Sequence, residues 1–212
     1  MAFVSAVAFF TAARRAPALC ARSSAFVAPA ARRSTLPRRA FAAAAAPPTT
    51  MTIKEGDTLP VDGVKLMTLG ADGPSPVDIA PYFKGKKTVV FAIPGCFTST
   101  CQKSHFPSFA GDNAAALKAK GVDEIVCVAV NDPFVCDAFA KVMNTPEITL
   151  LGDGNAAWVK SMGLEADLGA FGGIRSSRWS MYVDDGVVKK AFLEGGPGYT
   201  NISGGAHMIE NL

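Results

Sequence analysis

A cysteine becomes a useful nucleophile when its surroundings favour the thiolate, and one stretch of the 212-residue chain has the residue types to do that. Pro94-Gly95-Cys96-Phe97-Thr98-Ser99-Thr100-Cys101-Gln102-Lys103-Ser104-His105-Phe106-Pro107 leaves an apolar, strand-like run and enters a helix-like one, so Cys101 falls in the helix's first turn. A free thiol has a pKa of about 8.5, so only a minority is thiolate at neutral pH. Unpaired N–H groups and partial positive charge at a helix N-terminus favour the anion. Thr98 can aim a hydroxyl at the same sulfur, and Pro94 can pack over the loop and limit water.

The other cysteines are Cys20, Cys96, Cys127 and Cys136. There is no CxxC and no paired Cys/His spacing, which argues against structural zinc and against a disulfide oxidoreductase. So few cysteines in so long a chain also argue against a secreted disulfide scaffold. Cys127 lies in a strand-like run and Cys136 in a helix-like one, where the plain reading of each is a small buried apolar residue.

The elements that must position Cys101 follow from hydrophobic pattern. Thr88–Ile93 is β-branched, nearly all apolar and ended by Pro94-Gly95, as a buried central strand would be. Cys101–Lys120 reads as one helix, with Pro107 kinking or loosening its start. Glu124–Val130 is a second buried strand, and Asn131-Asp132-Pro133 starts a helix over Phe134–Met143. Ile148–Leu151 reads as a short strand, Gly152–Asn155 as a turn and Ala156–Met162 as a short helix. Asp184-Asp185-Gly186 joins Ser180–Val183 to Val187–Phe192 as a hairpin, and Ala206–Leu212 closes the chain as a helix. The order β-α-β-α-β-α-β-β-α implies an α/β fold: a parallel sheet with crossover helices and an antiparallel edge. A thioredoxin-like sheet is compatible with it, though periodicity alone does not select that fold.

The motif does. Pro94, Thr98 and Cys101 fill every fixed position of the pattern Pro-x-x-x-Thr/Ser-x-x-Cys, and the stretch resembles the active-site motif of peroxiredoxins. The wording around it, with His105 and Pro107 after the cysteine, is similar to the type II or Prx5-like branch. The likeness continues through Gly121–Ile125, Val130–Phe134 and Arg175-Ser176-Ser177-Arg178-Trp179, and covers nearly all of 51–212. It implies a thioredoxin-like fold and a thiol peroxidase for hydrogen peroxide and alkyl hydroperoxides. It also implies that Cys101 attacks a peroxide oxygen and becomes a sulfenic acid, with no metal, flavin or haem. Thr98, the Cys101 N–H and a guanidinium then stabilise the charge developing along the O–O bond. By resemblance that guanidinium is Arg178, directly before the strand aromatic; Arg175 is the competing candidate.

The resemblance also places Cys127 at the position of a second, resolving cysteine in plant-like type II members. Joining a helix start to mid-strand requires local unfolding, because a disulfide needs Cα atoms within about 7 Å. Direct attack by glutathione, or a glutaredoxin partner, is the other route, and thioredoxin is the remaining reductant the family uses. A homodimer is implied as well. Cys96 departs from the alanine usual in the family and reads as a neutral substitution, the alternative being a second reactive thiol at the pocket rim. A redox sensor, in which Cys101 oxidation changes partner affinity, is the competing function class.

Composition bounds the rest. Apolar residues make up 49% of the chain and charged ones 18%, which excludes wholesale disorder. No run reaches the roughly 18 apolar residues that cross a bilayer. Residues 1–50 hold seven arginines and no lysine or acidic residue, so the formal charge of +3 belongs to that segment and the remainder is acidic. An acidic domain has no electrostatic footprint for nucleic acid. The first fifty residues read as an address, removed or disordered, ahead of a domain over 51–212. Ser24-Ala25-Phe26-Val27-Ala28-Pro29 resembles the cleavage motif of bipartite presequences for complex plastids; a mitochondrial presequence is the alternative.

Overall fold

The computed structural model describes residues 52–212, and the segment 1–50 read as an address lies outside the described residues. The strands are β1 (Lys65–Gly70), β2 (Gly73–Asp78), β3 (Lys87–Ile93), β4 (Glu124–Ala129), β5 (Thr149–Gly152), β6 (Glu165–Asp167), β7 (Ile174–Ser176), β8 (Trp179–Asp184) and β9 (Val187–Leu193). The helices are α1 (Asp112–Ala119), α2 (Pro133–Met143), α3 (Ala157–Ser161) and α4 (Gly205–Glu210). Seven strands form one mixed sheet in the order β2-β1-β5-β4-β3-β8-β9, and β6 pairs with β7 alone. β3, β4 and β5 run parallel, while β8 lies antiparallel against the other side of β3. This is the thioredoxin-like arrangement expected from the motif.

Strand alternation splits the core into two faces. Val90, Ala92, Val126 and Val128 face one way and pack with Phe83, Trp158 and Trp179. Val89, Phe91, Ile93, Ile125, Cys127 and Ala129 face the other, against Phe106, Phe109, Leu117, Phe139 and Met208. Both faces of β3 and β4 are therefore covered, which is why these strands read as unbroken apolar runs.

The expected helix over Cys101–Lys120 is not one helix. Cys101–His105 is a π turn, closed by the Phe106 N–H donating to the Cys101 carbonyl, and Phe106–Phe109 is a 3-10 turn. Gly111 then turns with φ +58 before α1 begins. Pro107 is the physical cause, since it has no N–H to continue the ladder and its ring clashes with the preceding turn. The break also serves packing. Phe106 and Phe109 both reach Phe91 of β3, Phe109 stacking on it at 4.1 Å.

Three other strands have weak sequence signals. β2 carries Pro74 and Pro76 and is mostly exposed, and it sits at the sheet edge, where missing N–H groups are tolerated. β6 and β7 are three residues each. The β8–β9 hairpin behaves as its Asp-Gly signal demands: Asp185 and Gly186 take φ +47 and +77, both positive as in a type I′ turn.

Candidate active site

Every functional segment gathers at the carboxyl ends of the parallel strands. β3 ends at Ile93 and passes directly into Pro94-Gly95-Cys96, while β4 ends just before Val130-Asn131. β8 runs the opposite way, so its start, preceded by Arg178, comes to the same edge. Pairing of Ala92 with Trp179 sets this register.

Arg178 is the centre of the site and is 2% exposed. Its Nη2 donates to Cys101 Sγ at 3.4 Å. Its Nη1 donates to Nδ1 of His105 at 3.0 Å. Nε donates to the Gly198 carbonyl at 3.0 Å, and Nη2 also reaches the Pro197 carbonyl at 3.1 Å. The guanidinium lies 5.5 Å from the Tyr199 ring centre, a cation–π contact. Among the described residues its charge has no carboxylate within ion-pair distance; those pairs join Lys84, Lys86 and Lys141 to acids elsewhere. A buried cation without a counter-ion must be held by hydrogen bonds, and the Cys101 sulfur is one of the acceptors that Arg178 uses.

The fork is held in place from behind. His105 Nε2–H donates to the Ser203 carbonyl at 2.9 Å, which leaves Nδ1 unprotonated to accept from Arg178. Burial, with a smaller contribution from the Arg178 charge, lowers the His105 pKa to about 4, so the ring is neutral at pH 7. Ser203 Oγ in turn donates to Glu194 at 2.9 Å, and Thr200 Oγ1 to the same carboxylate at 2.7 Å. Burial works against the Glu194 charge, but these hydrogen bonds outweigh it and hold the carboxyl below its ordinary range. Glu194 thereby clamps the loop that carries the Pro197 and Gly198 carbonyls.

The expected residues take these positions. Cys101 is fully buried and unpaired. The helical run that starts at it is a single five-residue π turn, and the charged group that donates to its sulfur is Arg178. Thr98 is half-buried, and its hydroxyl donates to the Gly95 carbonyl at 3.0 Å instead of to the sulfur. Pro94 is buried and lines, with Thr98, Thr100, Arg178 and Phe171, a cavity of about 250 Å³. Arg175 lines this cavity too, but spends its donors on the Gly172 and Val130 carbonyls at 2.9 and 3.1 Å. Cys127 sits mid-strand, opposite Phe91 of β3 and Leu150 of β5. It is fully buried, and burial pushes its thiol well up. Among the described residues no cluster of His, Cys, Asp or Glu is placed to hold a metal ion.

Several site residues had no sequence signal of their own. Pro197, Gly198, Ser203 and Glu194 act at long range, and His105 stands in the sequence only as part of the wording after the cysteine. Asn131 Oδ1 accepts the Cys96 N–H at 2.9 Å and ties the cysteine loop to β4. Phe97 holds φ +61, a left-handed conformation a bulky side chain rarely adopts, with its ring edge-on to Phe139 at 5.2 Å.

A thioredoxin-like sheet that places a buried free thiol against an unpaired guanidinium defines a thiol-based redox protein. Comparison with known proteins makes the class specific. The Redoxin family model matches residues 54–206. Peroxiredoxin-2C of Oryza sativa subsp. japonica is 44% identical over 161 residues, covering 74% of this chain and 96% of that protein. The chloroplastic Peroxiredoxin-2E of Arabidopsis thaliana is 40% identical over 162 residues, covering 74% of this chain and 68% of that protein. The crystal structure of reduced Prx3 in complex with H2O2 from Vibrio vulnificus superposes with a TM-score of 0.70 at 40% identity, covering 76% of this chain and 99% of that one. The chain belongs to the peroxiredoxin family. It is a thiol peroxidase, with a peroxide as oxidant and a thiol as reductant.

Proposed function

We propose that Cys101 is the peroxidatic cysteine and that Arg178, Thr98 and Pro94 complete its site. The observation that carries this is the Arg178 guanidinium, buried without a carboxylate and donating to Cys101 Sγ. The thiolate attacks the nearer peroxide oxygen. The O–O bond breaks, water or an alcohol leaves, and Cys101 becomes a sulfenic acid. Arg178 stabilises the thiolate before the reaction and the charge on the departing oxygen during it. Thr98, whose proton is committed to Gly95, presents its oxygen lone pairs to the peroxide proton. Pro94 walls the cavity and keeps the site dry.

The sulfenic acid is returned to the thiol by an external reductant, glutaredoxin with glutathione or else thioredoxin. The mid-strand place of Cys127 favours this one-cysteine cycle over an internal bond to Cys127, which would require β4 to part from β3 and β5. Residues 1–50 act as a presequence to a complex plastid, a reading carried by the Ser24–Pro29 stretch and by the acid-free arginine content. A homodimer completes the reading: Phe171 is 81% exposed at the cavity mouth, Phe97 is also exposed in the loop that carries Cys96 and Thr98, and a second subunit would cover such apolar surface.

Peroxide consumption by the full chain, supplied with each reductant system in turn, tests the assignment. Wild type should turn over and Cys101→Ser should not, while Cys127→Ser keeps its rate with glutaredoxin. Sustained turnover in Cys101→Ser would sink the assignment. For the address, a fluorescent fusion of residues 1–50 should enter the plastid, and Phe26→Ala should leave it outside. Delivery to mitochondria would favour the alternative.

A further inference from the structure

Arg175 brings a second guanidinium to the peroxide cavity. The charged residues lining that cavity are Arg175 and Arg178, and no acid lines it with them. Arg178 commits all three of its nitrogens to Cys101, His105 and the Pro197 and Gly198 carbonyls. Arg175 commits two: Nε to the Gly172 carbonyl and Nη1 to the Val130 carbonyl, which fixes the plane of its fork. A guanidinium has five N–H groups, so three of them remain. Among the described residues Nη2 has neither a hydrogen-bond nor an ion-pair partner.

The chain makes room for this fork on two sides. A Cβ on Gly95 would stand 3.1 Å from Arg175 Nη1 and 3.4 Å from Thr98 Cγ2. A Cβ on Gly172 would stand 3.3 Å from Arg175 Nε and 3.6 Å from Nη2. Neither glycine holds a positive φ, so backbone conformation gives no reason for glycine at either place. Close approach of the guanidinium does. The Gly95 contact also brings Arg175 to the part of the cysteine loop that carries Thr98.

We propose that Arg175 forms a carboxylate-binding subsite in the peroxide cavity, which takes the carboxylate of an organic hydroperoxide or of the small thiol that reduces the sulfenic acid. This rests on the reading of Cys101 as the reacting residue. Once Cys101 is a thiolate, its charge offsets that of Arg178, and the charge left in the cavity is that of Arg175. A planar fork with adjacent N–H groups matches a carboxylate, which accepts two parallel hydrogen bonds. Pro94, Leu168 and Pro197 give the cavity apolar surface for the carbon skeleton between carboxylate and reacting atom. The domain is acidic outside this place, so the cavity is a local attractor for anions.

The test compares each carboxylate with its own ester, using the full chain. In one arm, stopped-flow oxidation of Cys101 is followed with γ-hydroperoxyisocaproate and with its methyl ester. In the other, Cys101 sulfenic acid made with hydrogen peroxide is reduced by glutathione and by glutathione ethyl ester. In wild type the carboxylate should react about tenfold faster than the ester in one arm, which identifies the source, and added salt should shrink that preference. Arg175→Gln should bring the ratio close to one, and Arg175→Lys should keep part of it. Ratios close to one in both arms for wild type would overturn the subsite without recourse to any variant. So would a preference that survives Arg175→Gln, or a loss in that variant falling equally on acid and ester, which marks Arg175 as a tie between loop and strand alone. A Cys101 that hydrogen peroxide leaves unmodified in wild type would instead sink the peroxidatic assignment itself.

Discussion

Arg178 shows how much of a site can rest on one side chain. Its guanidinium spans sulfur, imidazole and two backbone carbonyls, which a planar fork with five donors can do and a point charge cannot. Arg178→Lys should therefore lower kcat/KM for hydrogen peroxide by about 10²-fold or more, the usual loss when an oriented donor to the developing charge is removed. Stopped-flow oxidation of Cys101 measures this directly, and a loss under about threefold would show that charge alone suffices. The sequence singles out Cys101, Thr98, Pro94 and Arg178 as candidates because all four lie in short, wordlike motifs. It was silent on Glu194 and Ser203. Ser203 meets His105 across 98 residues of chain, with Glu194 behind it, and that contact depends on where α4 and the β9 loop pack, which no local pattern encodes.

At the scale of elements, the site depends on how the chain leaves β4. Asp132 caps α2, its Oδ1 accepting the Phe134 and Val135 N–H groups at 3.0 Å each, with Pro133 at the first helical position. Asp132→Ala should cost about 1 kcal/mol, read as a shift in the urea midpoint with unchanged slope. Gly152 is a sharper constraint. A Cβ there would stand 2.7 Å from the Asn131 carbonyl, a backbone atom that cannot step aside alone. Gly152→Ala should destabilise by about 1–3 kcal/mol and, by displacing Asn131, loosen the cysteine loop. Slower peroxide reaction in a still-folded Gly152→Ala would carry the point; an unchanged rate and midpoint would refute it. The start of α2 was legible because capping is local chemistry. The break at Pro107 was half legible: proline announces a disruption, but the division into a π turn and a 3-10 turn is decided by Phe106 and Phe109 reaching Phe91. The β1–β2 hairpin was illegible because Pro74 and Pro76 mask a strand that edge position permits.

Across the whole molecule, the sheet collects one set of ends. Parallel β3, β4 and β5 deliver their carboxyl ends to one rim, antiparallel β8 brings Arg178 there, and the β9 loop folds back over it. The cost of this design is a buried polar chain, Arg178–His105–Ser203–Glu194, running from the thiol to the edge of the domain. It makes global stability depend on acid. His105 has a pKa of about 4 in the folded chain against an ordinary value of 6.5. Between these values the unfolded chain binds a proton that the folded chain refuses, so stability falls as pH falls from about 6.5 to about 4 and this contribution then levels off. At 1.36 kcal/mol per pH unit the full window amounts to about 3 kcal/mol. Glu194, held below its ordinary value, adds loss in the same direction at the lower end. His105→Gln isolates the first effect, because an amide can accept from Arg178 and donate to Ser203 without titrating. Urea unfolding of the full chain at pH 7 and pH 4.5 should show wild type losing stability by about 2 kcal/mol more than His105→Gln does. Parallel losses in the two proteins would mean that the ring protonates in the folded state near its ordinary value, and that the guanidinium is held by the Pro197 and Gly198 carbonyls without help from a neutral imidazole.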